Sequence, residues 1–182
     1  LRAMPGLISF RPADANETME AWRFALKHQN GPVAISLTRQ GLPALDQSKF
    51  GSASQVEKGG YVLVKEENPD LLIIATGSEV SLALEACESL NADGVKVQVV
   101  SMPSCELFEL QDQSYKNSVI PSDVKARVVV EAGIIRGWEG YIGEKGRFVG
   151  MEGFGASAPA KDLFQSFGIT TEAIVKAAKN IL

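Results

Sequence analysis

The chain has 182 residues and a formal net charge of -4, with 45% hydrophobic and 22% charged residues. That balance belongs to a globular chain rather than a disordered or fibrous one. With no Lys/Arg cluster in any window, it argues against a nucleic-acid partner, which calls for a basic patch. The longest apolar run, Leu71–Ala75, falls far short of the roughly 20 residues of a membrane-spanning helix, so no membrane partner is expected.

Ile8-Ser9-Phe10 reads as a short strand closed by Arg11-Pro12. Asp14 or Asn16 can cap the helix that follows, because either side-chain oxygen can accept a free backbone N–H of the first turn. Met19, Trp22, Phe24, Ala25 and Leu26 then form a broad apolar stripe at helical spacing, ending near Asn30-Gly31-Pro32. Val33–Leu37 reads as a buried strand, parallel to the first across the β-α-β connection. Two strands and one helix cannot bury a core, so this unit is incomplete by itself. The opening, LRAMPGL, reads as the interior of a longer chain. Residues 41–58 are polar, with Gly, Ser and Pro interspersed and no sustained period, as in a linker.

A more regular pattern follows. Gly60–Val64 and Leu71–Ala75 are predicted strands separated by the turn Asn68-Pro69-Asp70, and the short connection suggests that they pair antiparallel. Leu71–Ala75 is apolar throughout, the mark of a strand buried on both faces. Thr76-Gly77-Ser78 breaks it, and a helix runs from about Val80 to Leu90. Val95–Val100 is a β-branched strand. Short helices are expected around 105–111 and 114–119, then a buried strand Arg127–Val130 ending in Glu131-Ala132-Gly133. A helix near 136–143 carries Trp138 and Tyr141, and Phe148–Met151 is a last strand. Helices near 159–167 and 171–181 are introduced by Ser157 with Pro159 and by Thr170. The alternation predicts an α/β fold. It is a three-layer α/β/α domain over 59–182, with a mostly parallel five-stranded sheet and one antiparallel edge strand. The linker is placed at 46–58, after the incomplete β-α-β of residues 1–45.

Arg39 is the sharpest candidate for chemistry. Ligands of open parallel sheets gather at the carboxyl ends of strands, and a guanidinium there offers a planar fork for a phosphate or carboxylate. The alternative is an ion pair across a domain boundary. Thr76-Gly77-Ser78 opens a helix and can hold an anion on its N–H groups, or can simply cap. Glu131, at a strand end without a partner His, Cys or metal cluster, reads as a structural or interface residue rather than as an acid–base group. His28, the only histidine, sits at a helix C-terminus, where the dipole favours it. Gly150, Gly153 and Gly155 fit a close-approach loop or a plain turn. Cys87 and Cys105 make no metal or disulfide framework; they read as reduced thiols of a reducing, cytoplasmic compartment.

Taken as words, LRAMPGLISFRPADANET and PVAISLTRQGLP resemble the end of the pyrimidine-binding domain of transketolases. GGYVL, DLLIIATGSEVSLALEA, VKVQVVSMPS, VVVEAG, GMEGFGASAPAKDLF and FGIT resemble the same family's C-terminal domain, in order and spacing. The resemblance implies a transferase that moves a two-carbon ketol unit from a ketose phosphate to an aldose phosphate. It implies thiamine diphosphate and a divalent metal (Mg or Ca), and a homodimer. It also implies that Arg39, in Thr38-Arg39-Gln40 where the family has Ser-Arg-Gln, binds the sugar phosphate. The family's diphosphate- and metal-binding domain and its catalytic Glu, His and Asp residues are not in these words. No catalytic, cofactor or metal residue is therefore assigned, and the chain alone is expected to be inactive. A non-catalytic assembly or regulatory domain, or the C-terminal domain of another thiamine-diphosphate enzyme, are the alternatives.

Overall fold

The computed structural model describes residues 1–182. The first unit is β1 (Ile8–Phe10), α1 (Ala15–Lys27) and β2 (Val33–Ile35), with β1 and β2 parallel and Ile8 opposite Val33. Asp14 caps α1, accepting the Glu17 N–H at 2.8 Å. Its other oxygen takes the Leu45 N–H at 2.8 Å, tying the following segment back onto the helix. β2 is shorter and less buried than its apolar run suggests: it stops at Ile35, and Leu37 is exposed. The reason is topological, since β1 is its one strand neighbour.

The second unit contains β3 (Tyr61–Val64), β4 (Leu71–Ala75), α2 (Glu79–Ala92), β5 (Val97–Ser101), α3 (Cys105–Glu109) and α4 (Gln113–Val119). It continues with β6 (Arg127–Val130), α5 (Glu139–Ile142), β7 (Arg147–Val149), α6 (Ala160–Ser166) and α7 (Thr171–Lys179). The five strands form one sheet in the order β3-β5-β4-β6-β7, parallel except for β3. Side chains alternate across it. Leu71, Ile73 and Ala75 pack with Val80, Ala83, Leu90 and Ile174 on the α2/α7 face. Leu72 and Ile74 pack with Phe108, Trp138 and Tyr141 on the α3–α5 face. Helices on both faces make three layers, and β4, buried at every residue, is the middle of the core.

The antiparallel edge strand exists, but its partner is not β4. β3 pairs with β5, Tyr61 opposite Ser101. β4 is apolar on both faces and takes a parallel neighbour on each edge, β5 and β6. β3 alternates buried and half-buried residues, which suits the outer edge beyond β5. The turn at Asn68–Asp70 therefore crosses one strand rather than closing a hairpin. The segment read as linker is also partly ordered. Ala53–Lys58 is a 3-10 turn whose Ala53 and Val56 join the core. Only one turn of the helix expected at 136–143 forms, and α6 begins at Ala160, its N-cap position Pro159 offering no side-chain cap.

The two units share a core: Phe10, Ala13 and Ala21 pack with the sheet residues under α2. Polar groups reinforce the joint. Glu17 of α1 is buried, and its Oε1 accepts the Tyr61 hydroxyl at 2.8 Å and the Ser101 hydroxyl at 2.5 Å, while Oε2 accepts the Ala13 N–H at 2.7 Å. These two hydroxyls come from residues directly opposite one another in the β3/β5 register.

Candidate functional site

β4 leads to α2 on one face of the sheet, and β6, its neighbour, leads to α5 on the other. The loops leaving these adjacent strands diverge, which opens a crevice beyond their carboxyl ends, the usual ligand position in such sheets. This crevice has a volume of about 460 Å³. Phe164, Phe167, Met151 and Ile169 line it, together with Ser78, Glu79, Gly133 and Arg11. Thr38 and Gln40 reach it from the loop after β2.

Arg39 stands between Thr38 and Gln40 in that loop. The Thr38 hydroxyl donates to the Gln40 carbonyl at 2.9 Å, closing a small turn around Arg39. Arg39 is exposed and forms none of the ion pairs of the structure. The ion pair across a domain boundary, the alternative to phosphate binding, is not made within this chain.

Glu131 and Thr76-Gly77-Ser78 come together around Arg11, the arginine that closes the first strand. Arg11 follows β1, and its guanidinium lies between the ends of β4 and β6. Nη1 donates to Glu131 Oε1 at 2.8 Å, and Nη2 lies 2.9 Å from Glu79 Oε2. Arg2 grips Glu131 with two bonds of 2.6 Å, and Trp138 Nε1 donates to the same carboxylate at 2.6 Å. Burial pushes the Glu131 carboxyl upward, but the bonds and charge of Arg2, the charge of Arg11 and the Trp138 N–H outweigh it, so its pKa falls below the ordinary value. Glu131 is ionised and fully engaged, which fits its structural reading. The Ser78 hydroxyl does not cap α2; it donates to Glu79 Oε1 at 2.6 Å. The signal for Arg11 was present in the sequence: like Arg39, it is an arginine just past a strand, and the same rule applied to both.

The remaining candidates are structural. His28 caps the C-terminus of α1 and stacks on Phe24. Cys87 and Cys105 are buried free thiols. Gly150 sits where a side chain would collide with Phe148 and with the Glu131 carbonyl, so it is a close-approach position, whereas Gly153 and Gly155 are open. No group of three or more His, Cys, Asp or Glu side chains converges to hold a metal ion. No helix is long and apolar enough to cross a membrane.

Compared with known families, residues 59–170 match the transketolase-like TK C-terminal domain, and residues 1–44 match the transketolase pyrimidine-binding domain. The chain belongs to the transketolase family. It is 50% identical over 186 residues to transketolase 1 of Pasteurella multocida, an alignment covering 100% of this chain and 28% of that protein. Among solved structures, transketolase from Leishmania mexicana superposes with a TM-score of 0.90 at 43% identity, over 100% of this chain and 26% of that one. A transketolase from Pichia stipitis in complex with sedoheptulose 7-phosphate superposes with a TM-score of 0.89 at 38% identity, over 99% of this chain and 26% of that one. The chain thus spans little more than a quarter of the length of the relatives it matches.

Proposed function

We propose that this chain works as the C-terminal part of a transketolase, which transfers a two-carbon ketol unit from a ketose phosphate to an aldose phosphate. The observation that carries the proposal is the pair of domain matches, in transketolase order, over one continuous fold. Arg39 is the phosphate ligand. It is exposed, unpaired and held on a turn closed by Thr38, and a solved relative is described as a sugar-phosphate complex. A planar guanidinium fork suits a phosphate dianion. Holding the distal phosphate orients the reacting carbonyl and contributes binding energy remote from the reaction centre.

Thiamine diphosphate supplies the electron sink for breaking the carbon–carbon bond. The carboxylates of the first unit are committed elsewhere: Glu17 to Tyr61 and Ser101, Asp14 to the α1 cap, and Glu20 to Arg23. None is left to pair with the cofactor's aminopyrimidine, and the chain offers no ligand cluster for a divalent metal. Those duties fall to other segments of the active assembly, so the chain's own part is phosphate binding and support of the pyrimidine-binding unit. The exposed apolar face of α1, with Met19, Trp22 and Leu26, supports further covering protein there, and a homodimer is the assembly we propose. Two buried free thiols support a cytoplasmic setting.

The test uses the native protein that carries this sequence, purified from its source and sized by mass spectrometry. It is assayed for ketol transfer with thiamine diphosphate and Mg²⁺, beside the 182-residue chain. Turnover by the native protein and none by the chain is expected; turnover by the chain, or none by the native protein, refutes the reading. In the native protein Arg39→Ala should raise KM for phosphorylated substrates about 10- to 100-fold, as loss of a charge-assisted bond implies. Unphosphorylated substrates should be unaffected.

A further inference from the structure

The place where sheets of this topology take their ligands is not empty here; it holds a side chain. We propose that the crevice between the ends of β4 and β6 is a binding site for a guanidinium group, which Arg11 of the first unit fills in place of a free ligand. The proposal does not depend on the ketol-transfer reading.

The second unit builds most of this site from its own residues. Glu79 opens α2 and is fully buried, its Oε1 fixed by the Ser78 hydroxyl at 2.6 Å. Glu131 follows β6 and is buried, held by Trp138 Nε1 at 2.6 Å and by two bonds of 2.6 Å from Arg2 of the first unit. Arg2 already pairs with Glu131, so it is the fully buried Glu79 that depends on a cation placed between the two carboxylates, since buried charges persist only when paired. Gly77 shapes the space for it. A Cβ there would sit 3.1 Å from both Cζ and Nη2 of Arg11, so the bare backbone lets the flat group lie against the turn. The cation is met at two separate points, Glu131 at 2.8 Å and Glu79 at 2.9 Å, which suits a planar fork better than a compact ammonium.

One detail shows that Arg11 fills this site imperfectly. Glu79 Oε2 lies 2.9 Å from Nη2, yet the N–H does not point at it, and this buried oxygen makes no hydrogen bond. A tethered side chain reaches the charge but not the bond direction; an untethered guanidinium is free to align. Arg11, together with Ala132, Gly133 and Ile134, borders both the 460 Å³ crevice and a second crevice of about 480 Å³. The ligand class is therefore a monosubstituted guanidine, with room for an apolar substituent against Phe164 and Met151.

The experiment is chemical rescue of Arg11→Ala in the 182-residue chain. Losing one partner of a buried pair should lower its melting temperature by about 6–20 °C. Methylguanidinium chloride, at about ten times its dissociation constant, should restore about 3–6 °C in a saturable manner. Equimolar methylammonium chloride should not, and the wild-type chain should respond to neither. The double variant R11A/E79Q, relieved of the charge that Arg11 alone compensates, should lose the rescue. If R11A does not fold unaided, refolding yield from urea in the two salts replaces melting, and recovery in methylguanidinium alone supports the proposal. Equal effects of the two salts, or a rescue that persists in the double variant, overturn it.

Discussion

Tyr61→Phe removes one hydroxyl and leaves an aromatic ring of nearly the same shape in the core. The hydroxyl donates to Glu17 Oε1 at 2.8 Å, in a site without a basic neighbour. Burial raises the Glu17 pKa, against the pull of Ser101, Ala13 and Tyr61. A hydrogen bond to a charged acceptor is worth about 1.5–3 kcal/mol, so this is the expected loss while Glu17 is ionised. For a chain of this size that corresponds to about 3–12 °C in melting temperature. The cost should depend on pH. A carboxyl whose folded pKa is raised contributes stability that is fully present below its unfolded pKa and lost as pH rises through its folded pKa. Removing the hydroxyl would raise that pKa further, so the variant should lose more stability than wild type on going from acid to neutral pH. Below the folded pKa the lost bond is a neutral one, worth about 1 kcal/mol. Urea unfolding followed by tryptophan fluorescence at pH 4.5 and pH 7.5 measures both values. A cost that stays equal over the whole pH range in which the fold persists would refute the view that this hydroxyl holds a Glu17 carboxyl that ionises in the folded chain.

Trp138→Phe takes a donor from Glu131, whose depressed pKa gives stability present above the unfolded pKa and lost as pH falls through the folded one. The variant should lose about 2 kcal/mol near neutrality and less in acid, as pH-dependent melting would show. Gly77→Ala meets both a φ of +62° and the Arg11 guanidinium, and should cost at least about 1–2 kcal/mol by urea titration. Burial pushes the Cys105 thiol up to about 12 and raises Cys87 as well, so a thiol-disulfide reagent at pH 8 should label neither until urea unfolds the chain.

Much of the fold is legible in the sequence because period and composition carry it. Leu71–Ala75 is apolar at every position, and a parallel strand covered on both faces is the arrangement that buries it. The pairing of β3 is not legible this way. A short connection favours a hairpin locally, and only the competition of β5 and β6 for the edges of β4 decides otherwise. The site divides similarly. Arg39 follows an apolar strand and is visible from that position. Arg11 follows a strand too, but Pro12 made it look like punctuation, and its carboxylates lie 68 and 120 residues away along the chain. Glu17 reads as an ordinary acid in the first turn of a helix; nothing local announces that Tyr61 and Ser101 close over it.

The two-stranded sheet β1-β2 ends without a neighbour beyond β2. A strand in that position carries a row of peptide groups ready to pair with any extended segment that arrives. Trp22 and Leu26 of α1, in the same unit, are exposed as well and add apolar surface to such an encounter. The prepared chain should therefore be a concentration-sensitive material: stable when dilute, with a net charge of -4 keeping copies apart, and inclined to self-associate through β2 when concentrated or when salt screens that repulsion. A single lysine or proline placed on the outer edge of β2 should then extend the usable concentration range without touching the five-stranded core.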